Sequence, residues 1–294
     1  MGQGRETVEK LRITVLADDY AGQNSPYWAQ HGVAYLVDVN VKGRQKRILF
    51  DTGSCAEPIL HNLSQMKLDP ADIDMIVLSH SHFDHTGGLI GILRAMQKEY
   101  VPILVHPAIN RTSFTADPFW FDVGYSMVTA RREAARAGGH WVLAASPLPL
   151  GAGMLYSGTV PRDTEFESGQ RMGLYTLNEG KTIPDEIMDD ISLYFRTGAG
   201  LVVVTGCAHA GIVNVINHGV KLTEVEHVTH VIGGFHLINS DDERIGKTVA
   251  NLRERPGLKI YTGHCTGLKA ESRLLDAFGS NFVKLHCGMV IDIE

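Results

Sequence analysis

The chain of 294 residues has only four cysteines, Cys55, Cys207, Cys265 and Cys287, scattered and without a CxxC pair. They form no disulfide framework, so a reducing compartment is the expected setting. No apolar run reaches membrane-spanning length. The first ten residues, Met1 to Lys10, are polar and lack the apolar core of a signal peptide, which predicts a soluble, cytoplasmic protein. There is no long basic run, and the net charge is −6. That argues against a nucleic-acid surface dominated by phosphate contacts. The expected partner is a small molecule, with no nucleic acid and no membrane. Hydrophobic residues at 44% and charged residues at 20% are ordinary for a globular protein of one large or two small domains.

What the chain has in quantity is histidine, fourteen in all. Three fall with an aspartate inside six residues, in Leu78-Ser79-His80-Ser81-His82-Phe83-Asp84-His85-Thr86-Gly87-Gly88. The apolar run Met75-Ile76-Val77-Leu78 before it reads as a buried strand. Leu89, Ile92, Leu93 and Met96 after it have helical spacing. The cluster therefore sits in a tight loop at the C-terminal end of a strand, where α/β folds commonly place ligands. Neutral imidazole suits zinc and iron, and carboxylate adds charge and a harder donor. Alternate side chains of an extended segment point the same way, so His80 and His82 can grip one ion, while the turn displaces Asp84 and His85 towards a second. A helix cap needs one polar side chain, not four.

Three later strands also end on short glycine-containing turns that carry histidine: Gly206-Cys207-Ala208-His209, Gly233-Gly234-Phe235-His236 and Gly263-His264-Cys265. Ends of adjacent strands lie side by side, so His209, His236 and His264 are predicted to converge on residues 80 to 85. His106, before Pro107, is read as structural. His31 is either a loop histidine near the site or a surface one.

His-Ser-His-Phe-Asp-His resembles the HxHxDH signature of the metallo-β-lactamase superfamily. Ile48-Leu49-Phe50-Asp51-Thr52-Gly53, Thr205-Gly206-Cys207-Ala208-His209-Ala210-Gly211-Ile212-Val213-Asn214, Gly233-Gly234-Phe235-His236-Leu237 and Thr262-Gly263-His264-Cys265-Thr266-Gly267 resemble one subfamily. It is named for 7,8-dihydropterin-6-methyl-4-(β-D-ribofuranosyl)-aminobenzene-5′-phosphate synthase, and its members are mostly labelled metal-dependent hydrolases. The resemblance runs from about residue 11 to the C-terminus and is weakest between 108 and 150.

The repeat of halves and the resemblance together imply an α/β fold, the αβ/βα sandwich: two mixed sheets face to face, helices outside, metals at one edge between them. The expectation is one domain over 1–294. The aromatic-rich stretch at about 108–150 (Phe114, Phe119, Trp120, Phe121, Tyr125, Trp141) reads either as an insertion that covers the site mouth and packs a neighbour in a homodimer, or as a peripheral subdomain. Residues 180 to 190 read as a polar turn. The cofactor set is two divalent metal ions, zinc first, with iron or manganese as alternatives. His80, His82 and His209 are assigned to one ion, and Asp84, His85 and His264 to the other. His236 is a further ligand or a close donor behind the ligands.

The resemblance puts Asp51 behind the metals, orienting the motif loop; capping the following helix is the other reading. Many superfamily members carry a bridging aspartate where this chain has Cys207, which either bridges as thiolate or is a small buried residue. Arg162 is a candidate grip for an anionic substrate group, since guanidinium matches phosphate or carboxylate in a two-point fork, or else pairs with Glu165 or Glu167.

The first functional expectation is a metal-dependent hydrolase. A dinuclear centre would lower the pKa of a bound water, and Asp84 would hold or steer the resulting hydroxide onto a small anionic phosphoester or ester. The alternative is a synthase of the named kind, joining a dihydropterin to a ribofuranosylaminobenzene phosphate with the metal as Lewis acid. A di-iron redox protein and a non-enzymatic binding protein come after these.

Overall fold

The computed structural model describes residues 6–41, 43–124, 127–168 and 173–294, without the side chains at 41, 44 and 127–129. Tyr125 of the aromatic stretch lies outside the described residues.

In chain order the elements are β1 (Lys10–Ala17), β2 (Ala34–Val41), β3 (Arg44–Phe50), α1 (Ala56–Gln65), β4 (Met75–Val77), α2 (Phe83–Thr86), α3 (Leu89–Met96), β5 (Val101–Val105), β6 (Phe114–Thr115), β7 (Phe121–Asp122), α4 (Met127–Arg136), β8 (Gly139–Leu143), β9 (Leu148–Gly151) and β10 (Met154–Tyr156). The second half has β11 (Leu174–Asn178), β12 (Lys181–Pro184), β13 (Ser192–Arg196), β14 (Leu201–Thr205), α5 (Ile212–Thr223), β15 (Val228–Ile232), α6 (Asp242–Arg253), β16 (Lys259–Thr262), α7 (Leu268–Phe278), β17 (Phe282–Lys284) and β18 (Val290–Ile293).

Two seven-stranded sheets carry the fold, ordered β18-β1-β2-β3-β4-β5-β8 and β17-β16-β15-β14-β13-β10-β9. Each begins with antiparallel pairing and turns parallel where helices begin to alternate with strands: β3, β4, β5 and β8 in one, β14, β15, β16 and β17 in the other. β14, Leu-Val-Val-Val-Thr, is buried along its whole length, as expected of a parallel strand covered on both faces. Val15, Val37, Phe50, Leu193, Phe195 and Val204 pack in one core between the sheets. A second core lies under α1 and α3, with Ile59, Leu63, Leu89 and Leu93. A third lies under α5, α6 and α7, with Val213, Ile216, Ile245 and Leu274. This is the αβ/βα sandwich of the sequence reading. No helix among the described residues is long and apolar enough to cross a membrane.

Two segments differ from expectation. Residues 108–150 do not form one insertion. β8 pairs parallel with β5, and β9 pairs antiparallel with β10, so each extends a large sheet. Ala134 of α4 and Trp141 of β8 pack on the core under α3. Among the described strands of this stretch only β6 and β7 leave the sandwich, and they join β11 and β12 in a separate four-stranded sheet. The predicted polar turn at 180–190 contains β12, paired with β11. Beyond it, Asp185, Asp189 and Asp190 are buried. The sequence read as a polar turn, but these carboxylates have buried partners supplied from elsewhere in the chain.

Candidate metal centre

The loops that follow β3, β4, β14, β15 and β16 emerge on the same edge of the sandwich, because these strands run parallel within their sheets. Residues 79 to 86 are fixed from below by Asp51. Its Oδ1 accepts from Ser79 N at 2.7 Å and its Oδ2 from Ser79 Oγ at 2.7 Å, and the same Oδ2 meets His85 Nδ1 at 2.7 Å. Ser79 Oγ lies 2.8 Å from His80 Nδ1. With that hydroxyl donating to Asp51, His80 Nδ1 carries the proton, and Nε2 turns its lone pair into the cluster. Asp51 does not cap α1, whose N-cap is Cys55 without a side-chain bond. A side chain at Gly206 would place a Cβ 2.3 Å from Ser79 Oγ, so glycine is what lets the second sheet approach this loop.

On one side of the cluster His80 Nε2 faces His82 Nδ1 at 3.0 Å and His209 Nε2 at 3.2 Å. Ligand nitrogens about 2.05 Å from a tetrahedral ion are roughly 3.3 Å apart, so each of these two separations is close to that of a ligand pair. On the other side Asp84 Oδ2 lies 3.4 Å from His85 Nε2 and 3.1 Å from His264 Nε2. Cys207 Sγ is 3.1 Å from His85 Nε2. Its sulfur belongs both to a close group with His80 and His209 and to one with His85 and His264. His236 does not join the Asp84 side. Its ring lies on that of His209, with centroids 4.1 Å apart, and it groups with Cys207 and Cys265. Ala208, His236 and His264 adopt left-handed backbone angles (φ 52°, 44° and 47°), a conformation non-glycine residues seldom take outside constrained sites.

The electrostatics fit metal binding. Burial pushes the pKa of His82 down to about 4 and those of His80 and His209 well below the ordinary value, so these rings are neutral and free to donate lone pairs. Burial opposes charge on His85 too, but Asp84 and Asp51 outweigh it and raise its pKa to about 9. Burial works against an ionised Asp84, yet His85 and His264 hold its carboxyl well below the usual range. Burial pushes the Cys207 thiol up, so an ion binding there must displace a proton.

Several supporting residues carried little or no signal in sequence. Asp19 accepts from His264 Nδ1 at 3.0 Å through Oδ1 and pairs with His31 Nδ1 at 3.1 Å through Oδ2. His31 Nε2 in turn stands 3.5 Å from Asp84 Oδ2, so of its two readings the one near the site holds. Arg111 pairs with Asp185 at 2.7 Å and Asp189 at 2.5 Å, and Asp189 Oδ2 accepts from Ser81 N at 2.8 Å inside the motif. Asp190 Oδ2 accepts from Ala210 N at 2.8 Å, beside His209. Only Cys265, next to His264, and Asp19, at the end of β1, had a local hint.

Arg162 does neither of the two things expected of it. Its guanidinium donates to the backbone carbonyls of Glu186, Ile187 and His209, locking the chain before β13 to the His209 turn. Glu167 instead accepts from Val213 N and Asn214 N at the start of α5. Both terminal nitrogens are engaged on carbonyl oxygens, and Nε, which has no hydrogen-bond partner, is buried, so the fork does not face an anion. His106 bonds Thr159 Oγ1 and Ala108 N, away from the cluster.

A cavity of about 400 Å³ opens on the centre. Its walls include Asp84, Cys207, His209, His264 and Cys265, with Phe83, Val123, Leu174 and Ile238 as an apolar side. No lysine or arginine lines it among the described residues. Phe121 of β7 meets Phe83 edge-on at 5.8 Å, so the small sheet forms part of the mouth.

A family profile for the metallo-beta-lactamase superfamily matches residues 28–166. The chain is 43% identical over 286 residues to a 7,8-dihydropterin-6-methyl-4-(beta-D-ribofuranosyl)-aminobenzene-5'-phosphate synthase of Methanocaldococcus jannaschii, covering 97% of each. Against an uncharacterized protein of the same organism it is 30% identical, covering 96% of this chain and 100% of that protein. Among solved structures it is similar to a metal-dependent hydrolase of the beta-lactamase superfamily (TM-score 0.76, 24% identity, 96% of this chain and 99% of that one). It is also similar to Zn(2+)-bound PqqB from Methylobacterium extorquens (TM-score 0.54, 10% identity, 96% of this chain and 100% of that one).

Proposed function

This chain belongs to the metallo-beta-lactamase superfamily, and on that premise we propose that it is a metal-dependent enzyme holding two divalent ions. His80, His82 and His209 take one ion, Asp84, His85 and His264 the other, and Cys207 stands between them. The observation that carries this reading is the Cys207 sulfur, common to both groups of ring nitrogens. A donor set of imidazole, carboxylate and one thiolate favours zinc, with iron as the alternative. When bound, the ions supply Lewis acidity and positive charge for an oxygen that becomes more negative during reaction.

The chain's own groups do the rest. Asp51 and Asp19 fix His85 and His264 from behind through their Nδ1 atoms. Asp84 presents an ionised carboxylate oxygen beside the cavity, where it can accept a hydrogen bond from a bound hydroxyl or water. The apolar wall of Phe83, Val123, Leu174 and Ile238 excludes water from one side of the substrate and offers a surface for a flat ring.

Identity of 43% along nearly the whole length of the relative favours the synthase reaction over the hydrolytic one. The reading is that this chain joins a dihydropterin to a ribofuranosylaminobenzene phosphate. Since no lysine or arginine lines the cavity among the described residues, the countercharge for a phosphate there would come chiefly from the ions. Hydrolysis of a phosphoester or ester is the second reading, favoured by the Asp84 oxygen at a cavity that water can enter.

The test is an incubation of zinc-loaded protein with a ribofuranosylaminobenzene phosphate and a dihydropterin bearing a leaving group on its 6-methyl carbon, read by mass spectrometry. The coupled product should form only when both are present, and not with His82→Ala. Turnover of simple phosphoesters or esters without coupling would install the second reading. Neither activity in a protein that holds its metal would refute both.

A further inference from the structure

Beyond the His and Asp positions, the end of β16 brings a second sulfur to the cavity. We propose that Cys207, Cys265 and His236 form a further metal position, a site of two sulfurs and one nitrogen for a thiophilic ion such as zinc, cadmium or copper(I). This rests on the side chains and not on which reaction the enzyme performs.

The three donor atoms lie within 4.8 Å of one another. Both sulfurs are buried and both cysteines are free. Cys265 Sγ is held in place by the His236 backbone, whose N–H donates to it at 3.3 Å. A Cβ at Gly234 would sit 2.5 Å from that sulfur, so this glycine makes the room the sulfur occupies. His236 Nδ1 is buried and has no hydrogen-bond partner, a polar ring atom left over on a residue that groups with the two sulfurs. All three residues line the cavity, so an ion has a way in.

The donors are softer than those of the neighbouring positions. Imidazole and carboxylate accept a wide range of divalent ions, whereas a pair of thiolates selects d10 thiophilic ones. The positions also compete. An ion between Cys207 and Cys265 draws the Cys207 sulfur away from His80 and His85. Excess soft metal should therefore occupy this position at the expense of the sulfur's bridging role.

The experiment is a cadmium titration of the full chain in a Cys55→Ser, Cys287→Ser background, which leaves Cys207 and Cys265 as the only thiols. The readout is the ultraviolet thiolate-to-cadmium charge-transfer band, with circular dichroism to check folding. The parent should reach the intensity of two bound thiolates. Cys265→Ser should reach about half of it, and His82→Ala should keep it. Equal intensity in the parent and in Cys265→Ser would overturn the proposal, as would loss of the band in His82→Ala. Should Cys265→Ser not fold, the cadmium-113 resonance of the parent decides. A shift typical of two sulfur ligands supports the site, and one typical of a single sulfur refutes it. Failure of the His and Asp positions would be seen separately, as a parent that retains no zinc.

Discussion

Replacing Arg111 with methionine tests whether buried charge outside the cavity holds the metal loop in place. Arg111 bridges Asp185 and Asp189, whose side chains are 2% and 0% exposed, while the arginine side chain is 14% exposed. Burial opposes the arginine's charge, but Asp189 and then Asp185 outweigh it and raise its pKa. Methionine keeps most of the volume and removes the cation. Two buried carboxylates are then left facing each other without compensation, and breaking such a pair costs ~3–5 kcal/mol. Asp189 cannot relieve this by turning to solvent without releasing Ser81 N. The variant should therefore lose stability in urea by ~3 kcal/mol or more and also bind zinc more weakly. Adding Asp185→Asn and Asp189→Asn should recover part of the stability, because neutral amides tolerate burial better than carboxylates. A loss below ~1 kcal/mol in Arg111→Met, the cost of an exposed pair, would refute the reasoning.

Three further outcomes are expected. Asp19→Asn weakens its hold on His264 and should cost roughly 10–100-fold in affinity for one of two ions, as loss of a carboxylate behind a ligand does; chelator competition that shows both ions equally affected, or neither, would count against it. In the metal-free chain burial raises the Asp18 pKa to about 7 from 3.8, so the folded state binds more protons than the unfolded one across that window. Stability from this group is present in acid and lost as pH rises through 7; between about pH 5 and pH 8 the parent should lose up to ~3 kcal/mol that Asp18→Asn does not, and parallel urea midpoints for the two proteins across that range would sink the idea. Gly32 has φ +117°, and a Cβ there would lie 1.9 Å from the Asp84 carbonyl oxygen. Gly32→Ala should thus displace the motif, lowering stability by ~2 kcal/mol or more together with zinc content, and a variant with normal zinc content would show the loop to be more pliant than the geometry implies.

Much of the site was legible because its chemistry is local. Three histidines and an aspartate within six residues mark a candidate metal-ligand cluster whatever the rest of the chain does. Strands ending on glycine and histidine can be read from apolar runs bounded by turn residues. Both large sheets and the main helices follow from the same patterning. The errors came from residues whose role depends on what sits opposite. Arg162 has the chemistry of an anion grip, but three carbonyl oxygens reach it first. The acidic run at 185–190 looks solvated until Arg111, more than seventy residues earlier, is placed against it. Residues 127–143 lack a strong pattern, because Ala134 and Trp141 cover a core whose larger members lie in α1, α3 and β5.

By itself the sequence pointed to the candidate ligand cluster, the strand ends that carry it and the sandwich that brings them together, since side-chain chemistry and hydrophobic period act over a few residues. Only the tertiary structure decided that the Cys207 sulfur is common to both groups of histidines, that His236 turns to the sulfurs and not to Asp84, and that Asp19, Arg111 and Asp189 support the loops. Those assignments depend on distances of about 3 Å between residues as much as 245 positions apart, and such distances exist only once the two sheets have packed.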